Sequence, residues 1–239
     1  KGRFVVGDFE DGSSSGSSNS GINNNTTINN GLLNNGISLG NSLNNNLGQI
    51  GQSCGGFWDT QNITDDELCN AINWAVAYGI INGNKDGSFK PNASINRAET
   101  VKVVLSLYPQ INLANNNQNT VFTDIDQNAW YASYIQTAHQ YGIMQGYRTY
   151  NNKWEARPSQ TVTRAEVLKI AYTASQKFGG YNYGINTNTS GSLPWYSPYE
   201  NLAYKQNIYN SQNQVNFNGA ATRKEVIVFL YRLNQAGLL

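Results

Sequence analysis

Apolar residues recur with helical spacing at three places, each introduced by the same short polar pattern. Asn96-Arg97-Ala98-Glu99 precedes Val101, Val103, Val104, Leu105 and Leu107. Thr163-Arg164-Ala165-Glu166 precedes Val167, Leu168, Ile170, Ala171 and Tyr172, and Thr222-Arg223-Lys224-Glu225 precedes Val226, Ile227, Phe229, Leu230 and Leu233. A Thr or Asn followed three residues later by Glu, just before an apolar run, is a capping box. The first side chain accepts from the backbone N–H of the third helical residue, and the Glu reaches back to the N–H of the cap. The pairs Asn96 and Glu99, Thr163 and Glu166, and Thr222 and Glu225 therefore predict three helix starts. Three further helical patterns precede these, over Leu68–Tyr78, Trp130–Tyr141 and Trp195–Gln206. Glycine-bounded apolar turns follow the first two, Gly79-Ile80-Ile81-Asn82-Gly83 and Gly142-Ile143-Met144-Gln145-Gly146. The third has Asn207-Ile208-Tyr209-Asn210, and Asn tolerates the left-handed conformation that ends helices. A loop with a buried aromatic is then expected: Phe89 with Pro91, Trp154 with Pro158, or Phe217.

The order helix, turn, loop, helix divides the chain into repeats at 57–110, 121–178 and 193–239. The polar stretches Asn112–Thr120 and Gly179–Ser192 link them, too short to make three independent domains. Residues 1–56 are a different material. Phe4-Val5-Val6 predicts one strand, and residues 12–53 are mostly Asn, Gly and Ser with scattered Ile and Leu and without a single charge. Such composition reads by default as a linker. The spaced Leu39, Leu43, Leu47 and Ile50 favour an extended arm lying in a groove of its own domain or of another copy of the chain.

Composition narrows the chemistry. Of 239 residues, 13% are charged, about half the usual quarter, and the net charge is +1. There is no general basic surface for nucleic acid or anionic membrane, and no run long enough to span a bilayer. The single histidine, His139, reads as a packing or capping residue and leaves little room for a His-based triad or a His-ligated metal site. No P-loop, dinucleotide fingerprint or G-x-S-x-G elbow appears. Asp124 and Asp126 read as helix caps before Trp130 rather than as a hydrolytic pair. Asn82, Asn84, Asp86 and Gly87 resemble the start of a calcium loop, but its twelfth position is Ala93. No cofactor is expected, with calcium a minor alternative. Cys54 and Cys69 would form one disulfide in an extracellular protein. The chain begins at Lys1 with no signal-peptide pattern, so export through a signal peptide absent from this sequence is expected. The 15 tyrosines and 5 tryptophans offer flat amphipathic surface for sugars or proteins.

The arginine in each capping pattern is unexpected, because a helix N-terminus prefers anions. Two readings stay open. Arg97, Arg164 and Arg223 form an anion site with the helix N–H groups, or each pairs with a carboxylate and staples one repeat to the next.

The ordered set of segments resembles the S-layer homology family. The resemblance rests on Phe57-Trp58-Asp59, Gly79-Ile80-Ile81-Asn82-Gly83, Asp86-Gly87-Ser88-Phe89-Lys90-Pro91 and Ile95-Asn96-Arg97-Ala98-Glu99. In the second copy it rests on Phe122-Thr123-Asp124 and Val162-Thr163-Arg164-Ala165-Glu166. It implies a mainly α fold of three prongs about a pseudo-threefold axis with a central helical bundle. It also implies a non-enzymatic cell-surface or cell-wall protein of an S-layer or surface assembly. Its grooves would bind acidic, often pyruvylated, cell-wall polysaccharide. In that reading Arg97, Arg164 and Arg223 meet the carboxylate, Gly83 and Gly146 let the backbone approach the sugar, and Trp130 stacks on it. The alternative is a self-assembling extracellular filament in which the N-terminal arm packs into a neighbouring copy and the repeats are scaffold.

Overall fold

A computed structural model describes residues 53–114, 120–186, 193–210, 212 and 214–239. Nearly all of the N-terminal arm, including its expected strand at 4–6 and its spaced Leu and Ile, lies outside them.

Six helices dominate: α1 (Asp66–Ala77), α2 (Arg97–Leu105), α3 (Ala132–Gln140), α4 (Arg164–Phe178), α5 (Ser197–Lys205) and α6 (Arg223–Gln235). Among the described residues a single antiparallel hairpin pairs β1 (Tyr147–Arg148) with β2 (Trp154–Glu155). The fold is mainly α. Helices α2, α4 and α6 each begin with a full capping box, at Asn96/Glu99, Thr163/Glu166 and Thr222/Glu225. Helix α1 starts on Asp65, whose carboxylate accepts from Leu68 N at 3.1 Å. Asp66 and Glu67 then suit the positive end of its dipole.

Helices α1, α3 and α5 end alike. Gly79, Gly142 and Asn207 are all left-handed, with φ of 68°, 69° and 56°. The next residue folds back six to one: Ile80 N, Ile143 N and Ile208 N donate to Ala75 O, Ala138 O and Ala203 O at 2.8, 2.8 and 2.9 Å. Those isoleucines are buried and seal the motif. Asn207 thus keeps the geometry its glycine counterparts have.

The tryptophans expected to open α3 and α5 stand before them. Tyr131 and Tyr196 are the cap residues, so Trp130 and Trp195 sit on the approach to each helix. Asp124 and Asp126 are not caps either. Asp124 accepts from Ala156 N and Arg157 N at 2.8 and 2.7 Å, as Asp59 accepts from Phe89 N and Lys90 N at 2.8 and 2.7 Å. Asp126 closes a local turn onto Asn128 N. The paired aspartates equate Phe89 with Ala156, both fully buried, and so displace Trp154 from that role. Trp154 instead lies on β2, 40% exposed, because four more residues separate the turn from the loop here and form the hairpin. Lys90 and Arg157 are both left-handed, at 57° and 52°, a conformation that costs about 1–2 kcal/mol and is held by the aspartate.

The segments interlock rather than stack side by side. Helix α1 packs on α6, α3 on α2 and α5 on α4, while α2 and α6 both touch α4. At the centre three backbone bonds form a closed cycle. Ile95 N donates to Ala221 O, Ala221 N to Val162 O, and Val162 N to Ile95 O, at 3.1, 2.9 and 3.1 Å. Every residue of α2 except Glu99 is buried, including the polar Arg97, Thr100 and Lys102, so the helix is enclosed on all sides rather than along one stripe. Cys54 and Cys69 are disulfide-bonded, fixing the start of the described chain to α1. His139 packs its ring against the edge of Phe122, 4.8 Å between centroids.

Candidate functional site: three grooves beside the arginine helices

Each arginine helix points its N-terminus into the loop of the next segment. Arg97 N and Ala98 N donate to Gln160 O and Pro158 O, both at 3.0 Å. Arg164 N and Ala165 N donate to Gly219 O and Phe217 O at 3.1 and 2.9 Å. Arg223 N and Lys224 N donate to Ala93 O and Pro91 O, both at 2.9 Å. The capping side chain takes the third N–H. The Glu carboxylate takes the N–H of the capping residue, at 3.0, 2.8 and 2.8 Å, so all four donors that a helix end leaves open are satisfied by the protein itself.

The guanidinium groups are engaged in the same direction. Arg97 Nε donates to Ala156 O at 2.9 Å, Nη2 to Gln145 O at 3.0 Å, and Nη1 to Glu166 Oε1 at 2.9 Å and Tyr147 OH at 3.3 Å. Its side chain is only 4% exposed. Arg164 donates through Nε and Nη2 to Glu225 Oε1 at 3.1 and 2.7 Å, and through Nη1 to Asn216 O. Arg223 Nε donates to Phe89 O at 2.7 Å, with the guanidinium 5.2 Å from the Phe89 ring centre. Burial pulls Arg223 below its usual range, opposed by the charges of Glu99 and Asp59. Arg97 and Arg164 thus each bond a carboxylate of the following segment, as the staple reading has it, whereas Arg223 bonds the Phe89 carbonyl.

The two turn glycines have a packing reason for being glycine. A Cβ on Gly83 would fall 2.2 Å from the Phe57 ring, and on Gly146 2.3 Å from the Phe122 ring and 2.7 Å from Glu155 O. Asn210 stands in the third turn, and the sequence between α4 and α5 contains no phenylalanine that would need the space.

A cavity opens beside each arginine. The first, about 160 Å³, lies among Arg97, Gln145, Gly146, Tyr147, Lys169 and Trp195. Lys169, on α4, sits 5.7 Å from the centre of the Trp195 ring and 3.4 Å from Gln145 Oε1. Burial, reinforced by the Arg97 charge and opposed by Glu166, holds its ammonium below the ordinary lysine range. Trp195 is 48% exposed, so one side of this pair is open to a ligand. Burial, with a hydrogen bond to Glu166 Oε1 at 2.6 Å, pushes the Tyr147 hydroxyl up. The second cavity, about 370 Å³, lies among Asn96, Glu99, Trp130, Tyr131 and Arg223. Beside it Lys102 lies 5.4 Å from the Trp130 ring centre. The third, about 260 Å³, is lined by Leu68, Arg164, Tyr209, Val228, Phe229 and Arg232. Besides Arg164 its basic groups are Lys224 and Arg232, the latter tied to Glu67 at 2.6 and 2.5 Å and to Ile208 O at 2.9 Å, and no tryptophan lines it.

The sequence reading missed Lys102, Lys169 and Trp195 as site residues. A signal for them was present. Lys102 and Lys169 both fall five residues after the arginine, and the third arginine has Val228 there. Asn84, Asp86 and Gly87 form a turn closed on Ser88, with Ser88 N donating to Asp86 Oδ1 at 3.0 Å. Among the described residues no group of three or more His, Cys, Asp or Glu side chains could hold a metal ion. No helix among them is long and apolar enough to cross a membrane.

Comparison with known proteins gives this arrangement relatives. The family model for the S-layer homology domain matches residues 56–101 and 121–151. The amylopullulanase of Thermoanaerobacterium thermosulfurigenes is 28% identical over 178 residues, covering 72% of this chain but 9% of its own length. Exoglucanase XynX of Acetivibrio thermocellus is also 28% identical over 178 residues, 72% of this chain and 16% of its own length. The surface-layer 125 kDa protein of Lysinibacillus sphaericus is 26% identical over 167 residues, 68% of this chain and 14% of its own length. The chain thus spans less than a fifth of each of these relatives. Proteins with enzyme names and proteins with surface-layer names both match this stretch. Residues 56–101 and 121–151 are thus the part of this chain that is similar to the S-layer homology domain.

Proposed function

We propose that residues 57–239 are a non-catalytic module that anchors to acidic polysaccharide of the cell wall, placing the protein at the cell surface. The observation that carries the reading is the pairing of a lysine with a tryptophan in two of the three grooves, Lys169 with Trp195 and Lys102 with Trp130. The half-exposed Trp195 indole offers a face to a pyranose ring and the Lys169 ammonium beside it a charge to a carboxylate or ketal-linked pyruvate, while Lys102 and Trp130 form a more deeply buried version of the pair. Arg97 and Arg223 shape these grooves as buried walls. Gly146 lines the first of them and brings the turn backbone to its edge. The closed cycle of bonds through Ile95, Val162 and Ala221 supports a pseudo-threefold arrangement of three repeats at 57–110, 121–178 and 193–239. The third groove has Val228 at the position of the paired lysine, no tryptophan in its lining, and Arg232 tied to Glu67, so acidic sugar is held in two grooves. Sedimentation with purified cell wall tests this. The chain should co-sediment, and Lys102→Ala with Lys169→Ala should stay in solution with unchanged helix content. Equal pelleting of both would refute the anchoring site.

A second reading makes the helical module scaffold for an assembly of copies through the arm at 1–56. It draws support from the arginines, whose donors serve the protein's own carbonyls and carboxylates. Light scattering with and without residues 1–52 separates the two readings, since only assembly through the arm is lost with the deletion.

A further inference from the structure

The β1–β2 hairpin occurs in the middle segment alone among the described residues, and it builds a second cavity beside the first groove. This cavity is about 560 Å³ and is lined by Arg148, Thr149, Tyr150, Lys153, Glu155 and Arg157. Three cations face one carboxylate. Arg157 Nε donates to Glu155 Oε2 at 3.0 Å, which leaves Arg148 and Lys153 with no carboxylate partner among the described residues. The scaffold beneath them is fixed. Arg157 is left-handed, with its N–H held by Asp124. The hairpin is closed by Thr149 N donating to Lys153 O at 2.8 Å and Asn152 N to Thr149 O at 3.0 Å. Tyr150 projects fully exposed from the tip.

One residue joins the two cavities. The Tyr147 ring has the Arg97 guanidinium 4.8 Å from its centre and the Arg157 guanidinium 4.4 Å from it. Arg97 lines the groove of Lys169 and Trp195, and Arg157 lines the hairpin cavity. A chain leaving the first groove past Tyr147 therefore enters a pocket of the same charge preference.

Resting on the anchoring reading above, we propose that the hairpin cavity is a second subsite on the same polymer, receiving the anionic substituent of the next sugar unit through Arg148 and Lys153. The first groove then reads one acidic unit, and the hairpin makes binding depend on polymer length. Exposed ion pairs are each weak, so the gain from two of them is about five- to tenfold in affinity and falls with added salt.

Fragments of purified acidic wall polysaccharide, one repeating unit and three repeating units long, test this by calorimetry on the full chain. The trimer should bind about five- to tenfold more tightly than the single unit. Arg148→Ala with Lys153→Ala should remove that advantage, leave the single unit unaffected, and leave the melting temperature unchanged because both residues are exposed. An undiminished trimer advantage in this variant, or an equal loss for both fragments, would overturn the hairpin subsite while leaving the first groove intact. If the unaltered chain binds neither fragment, both the subsite and the anchoring reading fall. Lys169→Ala separates them from the other side, since it should weaken both fragments alike.

Discussion

Arg97 Nη1 lies 2.9 Å from Glu166 Oε1, joining the first residue of α2 to the first turn of α4 across 69 positions of sequence. Glu166 is at once the reciprocal half of the Thr163 capping box and the counter-charge for a buried arginine from the preceding segment. Helix capping and segment assembly thus share one carboxylate. Truncating Arg97 leaves Glu166 partly buried without its partner and orphans Ala156 O and Gln145 O. Arg97→Ala should lower unfolding free energy by about 3–5 kcal/mol. Arg164, 21% exposed against Glu225 at 33%, is more screened, and Arg164→Ala should cost only about 1 kcal/mol. Urea denaturation of the two variants gives the comparison, and equal losses would contradict the burial argument.

Gly83 and Gly79 are both left-handed, but only Gly83 has a ring against it. Gly79→Ala should cost about 1–2 kcal/mol from the backbone alone. Gly83→Ala adds a clash with Phe57, worth about a further 1–3 kcal/mol. Pairing Gly83→Ala with Phe57→Leu should recover part of the second loss. Thermal melts of the three variants measure this.

Glu225 links acidity to stability. Burial raises its pKa, but hydrogen bonds from Arg164 and from Thr222 outweigh that and leave it below the usual carboxylate range. A carboxylate depressed in the folded state stabilises above its unfolded pKa, about 4.3. That stability is lost as pH falls through the folded value. Unfolding free energy followed from neutral pH downward should therefore decline below about pH 4.5. Glu225→Gln should be less stable at neutral pH and show a shallower decline.

The capping boxes and the glycine ends were legible because they depend on residues three or four apart in sequence. The arginine role was only half legible. Its position fixes the helix start, but the partners Ala156, Gln145 and Glu166 lie some 50 to 70 residues away. The same distance hid the task of Asp59 and Asp124, which hold loops about 30 residues on rather than cap a helix. Trp154 misled because hydrophobicity alone does not tell which of Trp154 and Ala156 faces inward. The extra residues of the hairpin decide it. Lys102 and Lys169 went unnoticed because a lysine inside an apolar helix reads as its solvated edge until a tryptophan from the next segment is seen beside it.

Lys169 also makes binding depend on pH. Its ammonium loses its proton more readily than an exposed lysine, through burial and the Arg97 charge. A bound anion favours the charged form, so affinity for acidic polysaccharide should fall as pH rises through the folded pKa, below the usual 10.5. Lys169→Arg should keep its affinity through that range. Titration at several alkaline pH values measures it.

The central claim is that two grooves, those of Lys169 with Trp195 and of Lys102 with Trp130, hold acidic sugar while the groove of Val228 does not. Calorimetric stoichiometry with a single repeating unit of acidic wall polysaccharide tests it most directly. The account predicts two sites per chain, one in Lys169→Ala or in Lys102→Ala, and none in the double variant. Three sites, or two that survive loss of both lysines, would contradict it.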